Sequence, residues 1–107
     1  MRQSNIIRYI SKYQTMLFNR TFAALADPNR QAILQTLKQG EQPVAAIAEN
    51  LDITLATLSH HLDILKRADL ISARRSGRQI FYNLNMSVLE ELSEALLKFI
   101  GPKKPKK

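Results

Sequence analysis

The sequence predicts a mainly α-helical domain with one small β-hairpin, its elements in the order α-α-α-α-β-β-α. Three observations predict it. Apolar residues recur at spacings of three and four up to about residue 68 and again after Ser87. Between these stretches the apolar spacing drops toward two. A short turn at Ser76-Gly77 divides that middle stretch into two strands.

The first helix covers residues 6–25, with Ile6, Ile10, Tyr13, Leu17, Thr21 or Phe22, and Leu25 on one stripe. Asp27-Pro28 ends it and begins the next, because Asp caps a helix well and Pro suits the first helical position. Ile33, Leu34 and Leu37 form the apolar side of a short second helix that Gly40 terminates. Pro43 opens a third, with Val44, Ile47, Ala48 and Leu51 inward, and Asn50 to Thr54 is a tight connector. Thr54 caps a fourth helix running to about Ala68. Its core stripe is Leu55, Leu58, Leu62 and Leu65, and Ala56, Thr57, His60, Ile64 and Arg67 fall opposite. Residues 71–74 and 79–84 read as the strands. Ser87-Val88-Leu89-Glu90 has capping-box spacing and launches a last helix with Leu89, Leu92, Leu96 and Phe99 on one side. Gly101-Pro102 stops it. A helix–turn–helix followed at once by a basic hairpin is a winged helix–turn–helix, whose second helix lies in the major groove of DNA.

Composition narrows the function. The 107 residues are one domain's worth: residues 1–15 as an extension or the start of the first helix, 16–101 as the domain, 102–107 as a basic tail. Residues 1–26 carry Arg2, Arg8, Lys12 and Arg20 and no acid. An acid-free amphipathic start of this kind also fits an organellar transit peptide, although a first helix, or an extension ahead of a start at Met16, is the preferred reading. A net charge of +7 and a pI near 10.1 attract polyanions, nucleic acid first. There is no cysteine, which excludes disulfides and thiolate metal sites. No apolar run approaches the roughly 18 residues of a spanning helix, so a cytoplasmic protein without membrane insertion is expected.

His60 and His61 are the only histidines. Neighbours at i and i+1 do not share a helix face, so the pair cannot chelate one ion from a single helix, and a zinc site would need further ligands nearby. No metal, cofactor or catalytic constellation is expected: Asp63 is near, but no nucleophile or Gly-rich phosphate loop accompanies it. His60 points outward and reads DNA with Thr57 and Ser59, while His61 sits at the core's edge with a local hydrogen bond. Thr54, Ala56 and Arg67 complete that face. Lys66, Arg67, Arg74, Arg75 and Arg78 stand against one acid, Asp69, between residues 66 and 80. Arginines at a hairpin tip beside such a helix, Arg74, Arg75 and Arg78 here, suit phosphates or the minor groove. The stripes Ile6, Ile10, Tyr13, Leu17 and Leu89, Leu92, Leu96, Phe99 exceed what one small domain can cover, which suggests a homodimer.

Three motifs then carry a resemblance: Leu25-Ala-Asp-Pro-x-Arg30-x-x-Ile33-Leu34, Ser59-His60-His61-Leu62-x-x-Leu65, and Gly77-Arg78-x-x-x-Tyr82-x-Leu84. Together, over residues 22–85, they resemble the ArsR-type (ArsR/SmtB) winged-helix transcriptional repressors. The resemblance implies a homodimer built from the first and last helices, a double-stranded operator with two-fold symmetry, and repression released by a signal. Metal-sensing members carry a cysteine-containing motif where this chain has Pro43 to Ala48, or Asp/His pairs on the last helix, which here offers Glu90, Glu91 and Glu94 but no histidine. The pattern is closer to the non-metal autorepressors, some relieved by a protein partner; a small-molecule inducer is also open. The rival reading keeps the fold and makes it an adaptor whose main partner is another protein.

Overall fold

The computed structural model describes residues 12–101. Ile6, Ile10 and the tail 102–107 lie outside the described residues, as do the side chains of Tyr13, Leu17 and Phe99. The elements are α1 (Lys12–Leu25), α2 (Pro28–Leu37), β1 (Gln42–Pro43), α3 (Val44–Glu49), α4 (Leu55–Arg67), β2 (Ile71–Ser76), β3 (Gln79–Leu84) and α5 (Met86–Ile100). α1 as described already includes residues 12–15.

Local chemistry fixes the boundaries. Asp27 is extended and its carboxylate accepts from the Arg30 N–H at 3.1 Å, with Pro28 behind it, so α2 starts where the sequence indicates. Thr54 does the same for α4, its hydroxyl oxygen accepting from the Thr57 N–H. α2 closes at Lys38, and Gly40, at φ +136, turns the chain back toward β1.

One core joins these elements. Leu58, Leu62 and Leu65 of α4 are buried with Ile33 and Leu37 of α2, Ile47 of α3, Leu70, and Ile71 of β2. Each such side chain stabilises the fold by about 1.5–3 kcal/mol, far more than the few tenths separating helix propensities. Packing therefore decides the angle of α4.

Four sequence expectations change. The sheet has three strands, not two: β1 pairs antiparallel with β3, Gln42 opposite Tyr82 and Pro43 opposite Phe81, giving the order β1-β3-β2. Two residues are too few to leave a periodic signal, and Pro sits on an edge, where its missing N–H costs no ladder bond. The turn is Gly77-Arg78, one residue later than expected, because β2 runs on to Ser76 and pairs with Gln79. With φ +64 at Gly77 and no positive φ at Arg78, this is the pattern of a type II′ turn. The capping box does not form: α5 starts at Met86 with Asn85 as its cap residue, and the Asn85 side chain is used elsewhere. Finally, Leu55 is 66% exposed, not core, and Ile64 packs against the core, not away from it. Side chains lean toward the helix N-terminus. Leu55, in the first turn, thus overhangs the end of the core, whereas Ile64, further along, packs against it.

The far end of α4 is closed just as firmly. Leu70 N–H bonds the Leu65 carbonyl and Asp69 N–H that of Lys66, both at 3.0 Å, with Asp69 left-handed at φ +60. This is a Schellman closure with Asp where Gly is usual. Asn85 clamps it: its backbone N–H donates to Leu70 O at 2.9 Å and its side-chain amide to Asp69 O at 2.8 Å. The exposed Arg20–Asp69 pair at 3.5 Å adds little. Asp tolerates φ above zero and a β-branched residue does not. Asp69→Val should therefore cost about 1–2 kcal/mol in urea unfolding, while Asp69→Gly should leave stability equal or higher. Equal losses from both substitutions would mean that the side chain, and not the backbone, carries the site.

Candidate nucleic-acid interface

The exposed surface of α4 begins at its capped end. Leu55, Ala56, Thr57, Ser59 and His60 are all exposed, and Leu58 alone in that stretch turns inward. The Thr54 hydroxyl accepts from the Thr57 N–H and donates to the Thr57 hydroxyl oxygen at 3.0 Å, so Thr54 is committed to the cap. The Thr57 hydroxyl keeps its own proton for an outside acceptor. The face ends in Asp63 and Arg67, an ion pair at 3.0 Å one turn apart. Exposed pairs of this kind are worth about 0–1 kcal/mol, so a phosphate can take Arg67 at small cost.

What aims this surface is a polar knot under the helix. Arg30 Nε donates to the Ala24 carbonyl at 2.6 Å and its Nη2 to that of Ala23 at 3.3 Å, tying α2 to the last turn of α1. Arg30 Nη1 lies 3.1 Å from His61 Nδ1. A guanidinium has no acceptor, so Nδ1 accepts and Nε2 carries the ring's proton. Asp27 Oδ2, at 3.8 Å from the same nitrogen, is beyond hydrogen-bond reach. The Arg30 N–H, more than any other group, holds the Asp27 carboxyl below its ordinary value against some desolvation. The expected local partner for His61 is thus corrected. The residue is buried, 7% exposed, and bonds a side chain 31 positions earlier.

In the wing, strand alternation sorts the arginines. Ile71, Ala73 and Arg75 share the face of their partners Leu84, Tyr82 and Ile80, which turns toward the core, while Arg74 shares the other face with Phe81. There Arg74 forks onto Glu41 at 2.7 and 2.8 Å, stands 5.0 Å over the Phe81 ring, and shares Glu41 with the Asn83 amide. The fork is a charge-assisted pair of the strong kind. It leaves Arg74 a staple across the sheet and lowers the Glu41 carboxyl below its usual value, Arg74 first and Asn83 second. Arg75 and Arg78 have no partner among the described residues, and both are exposed at the tip. Between α4 and β3, Ser59, Leu62, Asp63, Lys66 and Tyr82 line a shallow groove. Burial, with Asp63 second, raises the Tyr82 phenol, which stays a donor.

Exposed and free of a structural task are thus Ala56, Thr57, Ser59 and His60 on α4 and Arg75 and Arg78 on the hairpin, with Arg67 in an exposed ion pair, while Thr54 is a cap and Arg74 a staple. Sequence reasoning did not single out Glu41, and it placed Leu55 inside. A carboxylate two residues before Pro43 was the available signal for the first. Away from these residues in the chain, α1 packs against α5. Leu89 and Leu96 are half-buried there, and Leu92, 6% exposed, is already covered within the chain. Met16 and Phe22 on α1 and Met86, Leu97 and Ile100 on α5 are exposed apolar side chains, Leu97 and Ile100 in the last turns of α5. No group of three His, Asp or Glu side chains capable of holding a metal occurs among the described residues.

Comparison with known proteins agrees with this geometry. The family described as Helix-turn-helix domain matches residues 25–73. The transcriptional repressor SdpR of Bacillus subtilis is 44% identical over 78% of this chain and 92% of its own. The biofilm growth-associated repressor of Agrobacterium fabrum is 42% identical over 67% of this chain, which spans 62% of that protein. An ArsR-like transcriptional regulator from Rhodococcus sp. RHA1 has a solved structure that superposes with a TM-score of 0.73 at 28% identity, covering 81% of each chain.

The Glu41 staple has a pH signature. A carboxyl whose value is lowered in the fold contributes stability that is complete above its unfolded value and is lost as pH falls through its folded one. The contribution of Glu41 should therefore be full above pH 4.5, the ordinary glutamate value, and fade below it. Urea midpoints measured at neutral pH and at about pH 3 should differ less in Glu41→Gln than in the parent, with Asp27 supplying part of the remaining difference. An unaltered difference would detach Glu41 from the acid response.

Proposed function

The chain belongs to the ArsR-type winged-helix transcriptional regulators, and from that premise we propose how it works: as a homodimeric repressor that reads a two-fold symmetric operator with α4 and grips the flanking backbone with its wing. That it is a DNA-binding transcriptional regulator follows from the family. The finer reading rests on one observation, a capped and exposed end of α4 in a chain whose hairpin tip carries two uncommitted arginines. Thr57, Ser59 and His60 supply short polar groups for base edges or phosphates, and Ala56 leaves room for close approach. Arg75 and Arg78 neutralise phosphates, joined by Arg67 once it leaves Asp63. Positive charge of this kind gives affinity for any DNA, and only the helix discriminates.

Dimerisation is supported by the outer face of α1 and α5. Met16, Leu97 and Ile100 expose apolar surface there that a second copy would cover. A C2 dimer would set two α4 helices about one helical turn of DNA apart, roughly 34–36 Å. As a DNA-binding regulator it is proposed to work beside its DNA, in the cytoplasm; no described helix is long and apolar enough to cross a membrane. Its family consists of regulators and not enzymes. No resident metal or cofactor enters the proposal, and relief of repression would fall to a partner protein or a small inducer.

The test is selection from a random double-stranded library at moderate salt. The expected pool shares a symmetric motif with half-sites one helical turn apart, and sedimentation gives a dimer; a pool without enrichment overturns the reading. On the selected site, Arg75→Ala and Arg78→Ala should each reduce the slope of log K against log salt by about one phosphate's worth, and Arg74→Ala should leave it unchanged. A slope that falls for Arg74→Ala alone would reverse that assignment. His60→Ala should narrow the gap between selected and random DNA by about 1–3 kcal/mol, and an equal loss on both would make His60 a phosphate contact.

A further inference from the structure

The first two turns of α4 present an unusual surface for a helix that reads sequence. Residues 54–60 are Thr, Leu, Ala, Thr, Leu, Ser and His, with no Arg, Lys, Asn or Gln among them. The forked contacts that single out guanine or adenine need those absent side chains. Thr54 is spent on the cap, and Leu58 is buried. What stands forward at the tip is Leu55, 66% exposed although it is a leucine at the first helical position, with Ala56 exposed beside it. The Thr54–Thr57 hydrogen bonds hold this turn rigid, so Leu55 projects from a fixed backbone. In the major groove one feature is apolar, the C5-methyl of thymine.

We propose that Leu55 is a specificity-determining residue that recognises a thymine in each half-site by packing on its methyl group. The inference rests on the proposal that α4 enters the major groove, and it adds which base is read and how. It also accounts for the position of Leu55. An apolar side chain at a wet helix end gains nothing in the free protein, but on DNA it is covered by an apolar partner. Ala56, with one methyl group, allows the helix end to approach that closely. His60, one and a half turns on, is left as the polar reader of the neighbouring pair.

Deoxyuridine provides the probe, since it is thymine without the methyl. Duplexes carrying the site selected from the random library would be made with each thymine replaced in turn by deoxyuridine. At one symmetric position the loss of the methyl should weaken binding about fourfold per half-site, the worth of one buried methyl-sized group. Leu55→Ala should weaken binding to the thymine duplex by a similar or larger factor, and have little effect on the duplex with deoxyuridine at that position or on random DNA. Because Leu55 is largely exposed, the variant should keep the parent's thermal midpoint, which a melt verifies. A site that binds equally well in thymine and deoxyuridine form overturns the assignment, as does a Leu55→Ala loss that is the same on both duplexes. A library from which nothing is enriched overturns the underlying reading as well, and is told apart from these because no selected site then exists.

Discussion

The Arg30 guanidinium is the point on which the recognition surface depends. Two carbonyls at the end of α1, its own helix, and His61 on α4 all meet at it. The bonds to the Ala24 carbonyl and to His61 satisfy groups that the fold takes partly out of water. Leaving one such group unpaired costs about 1–3 kcal/mol, more than a neutral hydrogen bond contributes net. The knot therefore works chiefly by excluding alternatives: a rotation of α4 that kept the leucines packed would still strand His61. Apolar packing sets where α4 lies, and the polar knot sets how it is turned about its axis.

A second partition operates in the wing. Arg74 and Arg75 are neighbours in sequence, and nothing in a charge count separates them. The pleat does, by sending them to opposite faces. Arg74 meets Glu41, Asn83 and the Phe81 ring and becomes part of the sheet. Arg75 meets solvent. The short β1 strand follows directly after Glu41, so the staple and the third strand reinforce each other, and the hairpin is held at both its hydrogen-bonded edge and its outer face. An isolated two-stranded hairpin is marginal in water. This one has support enough to carry free charges at its tip.

Much of this was legible in the sequence. The helix starts at Asp27-Pro28 and Thr54, the switch to strands at Ile71, and the stop at Gly101 all follow from local chemistry, and local chemistry is what a sequence displays. The outward His60 and the basic wing were also readable. What could not be read depends on contacts distant in sequence. β1 exists because β3 offers it an edge some forty residues later. His61 is buried because Arg30 reaches it from another helix, and Asn85 abandons the cap of α5 because Asp69 presents a carbonyl. Leu55 fits the helical period of a core residue and still lies outside, since a wheel projection ignores where the core ends along the axis. Leu92 is the converse: the stripe it belongs to was read as a surface for a partner, and the chain itself already covers it.

These constraints together make α4 a helix fixed at three points. Its start is held by Thr54, its middle by Arg30 through His61, and its end by the Asp69 turn under Asn85. Ordering a surface on binding costs about 0.5–1.5 kcal/mol for each flexible side chain immobilised, and long cationic or amide readers incur that cost repeatedly. The exposed turn of α4 carries instead Leu, Ala, Thr, Ser and His, which have few rotamers to lose. A rigid helix with short side chains gives up the strong forked contacts to purines, and its discrimination then rests on fit, with methyl groups and hydroxyls placed to within a fraction of an ångström. That is consistent with a fold that holds this helix at both ends and in the middle, and with the role proposed for the wing as the source of affinity.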